Sequence, residues 1–144
     1  MKQKEKDLLL KDLCSRLTYG VKVKFGDSKP ALLTVIEHDE FGWQIGSEDE
    51  FGGMITIIDN VKPYLFPLSS MTDELWDKEF MGCGITEFTR DSFKYGCETL
   101  EFNNSNPNLL SMVRFINQLI KNHFDIYGLI PMGLAIDATG LNIY

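Results

Sequence analysis

Cysteine is scarce in this chain: there are three in 144 residues, at positions 14, 83 and 97. An odd, widely spaced set without Cys-x-x-Cys excludes a disulfide framework and offers no zinc-ligand spacing. Such a set fits buried free thiols in a reducing cytoplasm. Long apolar runs are missing too. The longest, residues 129–136, is broken by Pro131 and Gly133 and is too short to span a bilayer. The opening Met-Lys-Gln-Lys-Glu-Lys-Asp is followed by only three leucines, which is too charged and too short for a secretory leader. No membrane association is therefore expected.

Catalytic and ligand-cradling motifs are also lacking. Gly-x-Ser-x-Gly is absent. Gly52-Gly53 and Gly82-Cys-Gly84 have neither the lysine nor the strand-to-helix context of a phosphate loop. The acidic residues Glu37, Asp39, Glu40, Glu48, Asp49 and Glu50 do not follow calcium-loop spacing and read as a solvated rim. In His38-Asp39-Glu40, neighbouring side chains point to opposite faces of a strand end, so the triplet reads as a turn. No cofactor and no metal is expected. Surplus positive charge is wanting as well, since the net charge is −7. That balance argues against general nucleic-acid binding, which needs Lys and Arg to meet phosphates. The imbalance is local, however. Residues 1–29 hold eight basic and four acidic side chains, and the rest six and seventeen. The basic leading segment leaves weak nucleic-acid association as one alternative.

What is present is an ordinary globular composition, 44% hydrophobic and 12% aromatic, in a length that suits one domain. Residues 4–17 place Leu10, Leu13, Cys14 and Leu17 at helical spacing, with Lys and Asp on the other side, and Gly20 is a natural stop. Val21-Lys-Val-Lys-Phe25 alternates as a half-buried strand. Residues 31–37, 43–45 and 54–58 read as further strands between tight turns, with an acidic loop at 46–53. The stretch 62–68 holds Pro63 and Pro67, which favour extended backbone, and it is expected to leave the sheet as a stiff strap. Ser70 or Thr72 can cap a short helix near 73–81, with Asp73 and Glu74 at its positive end. Residues 85–102 are ambiguous: Thr89 onward could open a helix, and 98–102 alternate like an edge strand. Asn106 before Pro107 opens a helix to His123, with Leu109, Val113, Ile116, Leu119 and Ile120 on one face. Residues 140–144 resemble a closing strand. The expectation is a single α+β domain, β-rich over 1–68 and mainly helical over 69–144. It would have an N-terminal helix, a small bent antiparallel sheet shaped as an SH3-like partial barrel, and one interior shared across the strap.

Three stretches, residues 11–22, 61–72 and 123–135, together resemble a family of short uncharacterised proteins of gut Bacteroides-group bacteria, found in their phages and prophages. The resemblance implies a mobile-element setting and a cytoplasmic location, and no activity. The chain departs from the family pattern at Thr18, where proline is common, and at Phe66 and Tyr127, where arginine is common. Pro131 and Met132 stand in place of a charged pair.

Aromatic residues are the best clue to a site. Trp43, Tyr64, Phe66 and Trp76 fall on short strands, the strap and a short helix, and an exposed groove of such residues, with Tyr127, would hold a peptide. The leading function is thus a non-enzymatic protein-binding adaptor acting on a protein partner. The enzymatic alternative is a small hydrolase using His123 and Asp125 as an acid–base pair, although no nucleophile motif accompanies them.

Overall fold

The computed structural model describes residues 1–48, 53–95, 100–102 and 109–144. Cys97, Asp49, Glu50, residues 96–99 of the ambiguous 85–102 stretch and the Asn106–Pro107 helix start lie outside the described residues. The chain divides into two compact units, one of residues 1–65 with 127–144 and one of residues 66–126. The fold is α+β. Among the described residues, no helix is long and apolar enough to cross a membrane.

The first unit opens with α1, Gln3–Arg16. It buries Leu9, Asp12, Leu13 and Arg16, a stripe about one residue round from the one expected. Cys14 consequently faces solvent. A charged pair is tolerated on the inner face because it neutralises itself: Arg16 Nε and Nη2 donate to Asp12 Oδ2 and Oδ1 at 2.8 and 2.7 Å. The helix stops where Gly20 turns left-handed at φ +71°.

Strand β1, Lys22–Phe25, alternates as expected, with Val23 and Phe25 inward. One bent sheet was expected, and the strands instead form two sheets; among the described residues they close no barrel. The first has the order β2-β1-β6-β7 and the second β3-β4-β5, where β2 is Ala31–Leu32, β3 Val35–Asp39, β4 Gly42–Ser47, β5 Met54–Ile57, β6 Val61–Leu65 and β7 Ile136–Asp137. The single strand expected over 31–37 changes sheets in its middle. Leu33 N–H donates to Val21 in the first sheet and Thr34 N–H to Gly46 in the second, each at 3.0 Å. Sheets that share a corner commonly pass a strand across in this way.

The expected strap is corrected as well. Residues 61–65 do not leave the sheet; they are its inner strand β6, antiparallel to β1 and parallel to β7. Pro63 fits there because extended backbone suits its ring, and β7 registers only with Tyr64 and Leu65, beyond the residue that lacks an N–H. Only after Leu65 does the chain behave as expected, with Pro67 leading into a 3-10 turn at Leu68–Ser70. The closing strand lies at Ile136–Asp137 and not at 140–144. The tail of the chain therefore belongs with the β-rich unit. The interior of this unit is aliphatic, built from Leu9, Leu13, Val21, Val23, Ile45 and Leu65, among others.

The second unit is helical: α2 Asp73–Glu79, α3 Glu87–Lys94 and α4 Leu109–Lys121. Thr72 caps α2, its hydroxyl accepting from Leu75 N–H at 3.2 Å. Its interior is aromatic. Phe80 packs on Trp76, Phe115 and Phe124 at centroid distances of 5.6, 5.5 and 6.3 Å. Trp76, expected in a groove, is core. One interior shared across the strap was expected, and the buried residues instead form two clusters, one in each unit. On α4 the apolar stripe divides: Phe115, Leu119 and Ile120 are buried, whereas Leu109, Val113 and Ile116 face solvent.

Candidate apolar sheet edge and cleft

The three-stranded sheet carries a large share of the exposed apolar surface of the first unit. Its hairpin is set by residues 39–42. Asp39 Oδ1 accepts from Phe41 N–H at 2.8 Å, and Gly42 takes φ +111°, which a side chain would resist. That turn leaves Phe41 77% exposed at its tip. Two positions further, Trp43 lies directly across from His38, and the two rings meet edge to face at 5.0 Å. Trp43 remains 39% exposed. Together with Gln3 and Lys6 of α1 and with Ile58, these rings line a cleft of about 400 Å³. Clefts of this size accommodate small ligands or a few peptide side chains.

Within the lining of this cleft, Lys6 Nζ donates to Asp59 Oδ2. That bond, ahead of the simple charge attraction, holds the Asp59 carboxyl below its ordinary range.

The opposite face of the same sheet is apolar in a different way. Val35, Gly46 and Ile55 stand in one cross-strand row, and Gln44 pairs with Ile57 in the next. Ile55 is 53% exposed and Ile57 42%. Gly46 makes the row possible. A Cβ there would lie 3.0 Å from Ile55 Cγ1 and 3.2 Å from Val35 Cβ, so its neighbours would have to shift to admit it. Strand β5, Met54-Ile-Thr-Ile57, is an edge with no charge and no proline. Edge strands are normally protected by such residues.

Of the residues expected to form the groove, Trp43 alone lines this cleft. Tyr64 is buried on β6, where its carbonyl accepts from the Tyr144 hydroxyl at 2.7 Å. Phe66 belongs to the second unit and packs on Phe124 at 6.3 Å. Tyr127 is half-buried in the first unit with the Lys11 ammonium 4.9 Å from its ring centroid.

His123 and Asp125 are both buried in the second unit. His123 follows α4 at φ +60°, its N–H donating to Ile120 at 3.0 Å. Phe66 N–H donates to the His123 carbonyl and Asp125 N–H to the Phe66 carbonyl, at 2.9 and 2.8 Å. Their backbones thus hold the Phe66–Phe124 bridge. The basic residues of the leading segment are dispersed: Lys6 meets Asp59, Lys11 meets Tyr127, and Lys22 and Lys24 stand on β1. Among the described residues no group of three His, Cys, Asp or Glu side chains could hold a metal ion.

Sequence reasoning missed Phe41, which it read only as part of a turn, and the exposure of Ile55 and Ile57. The absence of charge from 54–58 was the available signal for the latter. In comparisons with known proteins, no family model, no curated protein and no solved structure matches the chain.

Proposed function

We propose that this is a non-enzymatic binding protein whose β3-β4-β5 sheet receives an extended segment of a partner protein along β5, with Phe41 and Trp43 as side-chain anchors. Strand addition suits this surface for a physical reason. An unprotected edge presents a row of backbone donors and acceptors, which give affinity, and alternate side chains on either face give selectivity. The observation that carries the reading is the coincidence of an uncharged edge strand with exposed Ile55 and Ile57 on one face and exposed Phe41 and Trp43 at the hairpin end. The resemblance of residues 11–22, 61–72 and 123–135 to phage and prophage proteins supports a mobile-element adaptor working in the cytoplasm.

The test is affinity capture from a host carrying the gene, followed by mass spectrometry and by direct binding of the captured protein. Wild type is compared with Ile55→Lys/Ile57→Lys and with Trp43→Ala. A partner that binds wild type and loses at least tenfold in affinity to both variants, about 1.4 kcal/mol, supports the reading. A partner indifferent to both variants refutes it. Retention of a small molecule without any protein does so equally.

A further inference from the structure

The face of the first sheet that looks away from the aliphatic interior carries an arrangement that a sheet ordinarily avoids. Lys24 on β1 and Lys62 on β6 are direct antiparallel partners. Val23 and Phe25 beside Lys24, and Val61 and Pro63 beside Lys62, are buried, so both lysine side chains leave by the outer face. Side chains directly opposite in such a pair start from Cβ atoms about 5 Å apart, and like charges there are destabilising by a few tenths of a kcal/mol or more. Neither lysine forms an ion pair among the described residues. In a chain with a net charge of −7, two ammonium groups set directly opposite each other are not the product of general basicity.

The pair lines a second cleft, of about 490 Å³, with Gly26, Asp27, Asp59 and Ile136. Two of its lining residues are tied together, Gly26 N–H donating to the Asn60 carbonyl at 2.9 Å. Asp59 is already engaged by Lys6, so its charge is largely met from outside the cleft. We propose that Lys24 and Lys62 hold a small phosphate monoester between their ammonium groups. A monoester carries close to two negative charges at neutral pH and so matches the two lysines, which bind phosphate as point charges. The two carboxylates of the cleft, Asp27 and Asp59, determine the size of the ligand. A single phosphate fits between the lysines, whereas a continuous nucleic-acid backbone would bring further phosphates against the carboxylates and the acidic body.

The site is tested on the whole protein by NMR titration with glycerol phosphate, with inorganic phosphate, with sulfate at equal ionic strength, and with vesicles containing phosphatidic acid. Glycerol phosphate is expected to shift the Lys24 and Lys62 side-chain resonances saturably, and inorganic phosphate to do so more weakly. Lys62→Glu is expected to weaken binding at least tenfold while raising the melting temperature of the unliganded protein, because it turns a like-charged pair into an opposite one. Lys24→Gln/Lys62→Gln gives the same loss of binding without a new charge and serves if the first variant folds poorly. Undiminished binding to either variant overturns the proposal. Equal shifts with sulfate mean an adventitious ion only, and binding confined to vesicles means a membrane surface; both outcomes overturn it.

Discussion

Removing Arg16 while leaving Asp12 in place should be among the most damaging single changes in the first unit. Both side chains are fully buried, and the guanidinium forms two parallel bonds to the carboxylate. An exposed helix pair at the same i,i+4 spacing would be worth only about 0.3–0.5 kcal/mol. Here, Arg16→Met strands a carboxylate among Leu9, Leu13 and their neighbours, and breaking a buried pair in this way costs about 3–5 kcal/mol. That is a large part of the 5–15 kcal/mol typical of a whole domain. The pair itself need not contribute much, because its attraction is set against the cost of removing two charges from water. Asp12→Leu/Arg16→Met should therefore recover most of the loss and come within about 1 kcal/mol of wild type or above it. Denaturant unfolding read by tryptophan fluorescence decides the matter. Trp43 reports on the first unit and Trp76 on the second, so a Trp76→Phe background isolates the relevant signal. An Arg16→Met loss under about 1 kcal/mol, or a double variant as unstable as the single one, would refute the reasoning.

Three further outcomes follow from packing and titration. Phe115 is fully buried against Trp76, Phe80 and Phe93, so Phe115→Ala should cost the second unit about 3–5 kcal/mol, measured by the Trp76 signal in denaturant. Gly46→Ala forces a methyl against Ile55, Val35 and the Met54 carbonyl and should cost about 1–3 kcal/mol, measured through Trp43. The Tyr144 hydroxyl accepts from Lys22 N–H at 3.1 Å, donates to the Tyr64 carbonyl, and is pushed up to about 12, chiefly by burial, from the usual 10.0. A folded pKa above the unfolded one gives stability that is complete below pH 10 and lost as pH rises through about 12. The difference between wild type and Tyr144→Phe should accordingly be constant up to pH 9 or so and shrink above 10, as followed by urea midpoints across that range.

What could be read from the residues alone divides along a physical line. Signals carried within a few positions were legible: Gly20 as a helix stop, the alternation of Val21, Val23 and Phe25, Thr72 as a cap, and the turn at 39–42 all stand as expected. Facing and pairing were not, because they depend on distant partners. Leu10, Leu13, Cys14 and Leu17 form a plausible stripe on a wheel, yet Leu9, Asp12, Leu13 and Arg16 are inside, since Asp12 and Arg16 cancel each other's charge. The i,i+4 acid–base spacing was visible, but it is normally a surface device. Two prolines argued for a strap, and only the register with β7 shows how Pro63 sits within a sheet. Among the aromatic residues singled out for a site, Trp43 is exposed, while Tyr64 and Trp76 are consumed by packing, the usual fate of large aromatics.

The order of the elements carries a consequence for folding. Strand β6 pairs with β1, about forty positions earlier, and with β7, about seventy positions later. The first sheet therefore stays incomplete until residues 136–137 are available, and its closure bears the loop entropy of the whole 66–126 segment. The second unit is one continuous segment, and the residues of its aromatic cluster all lie within it. A folded 66–126 segment replaces a long flexible loop with one whose ends are already brought together by the Phe66–Phe124 bridge, so its formation lowers the entropy that the β6–β7 pairing must still overcome. The aromatic cluster thus assists closure of a sheet to which it contributes no strand.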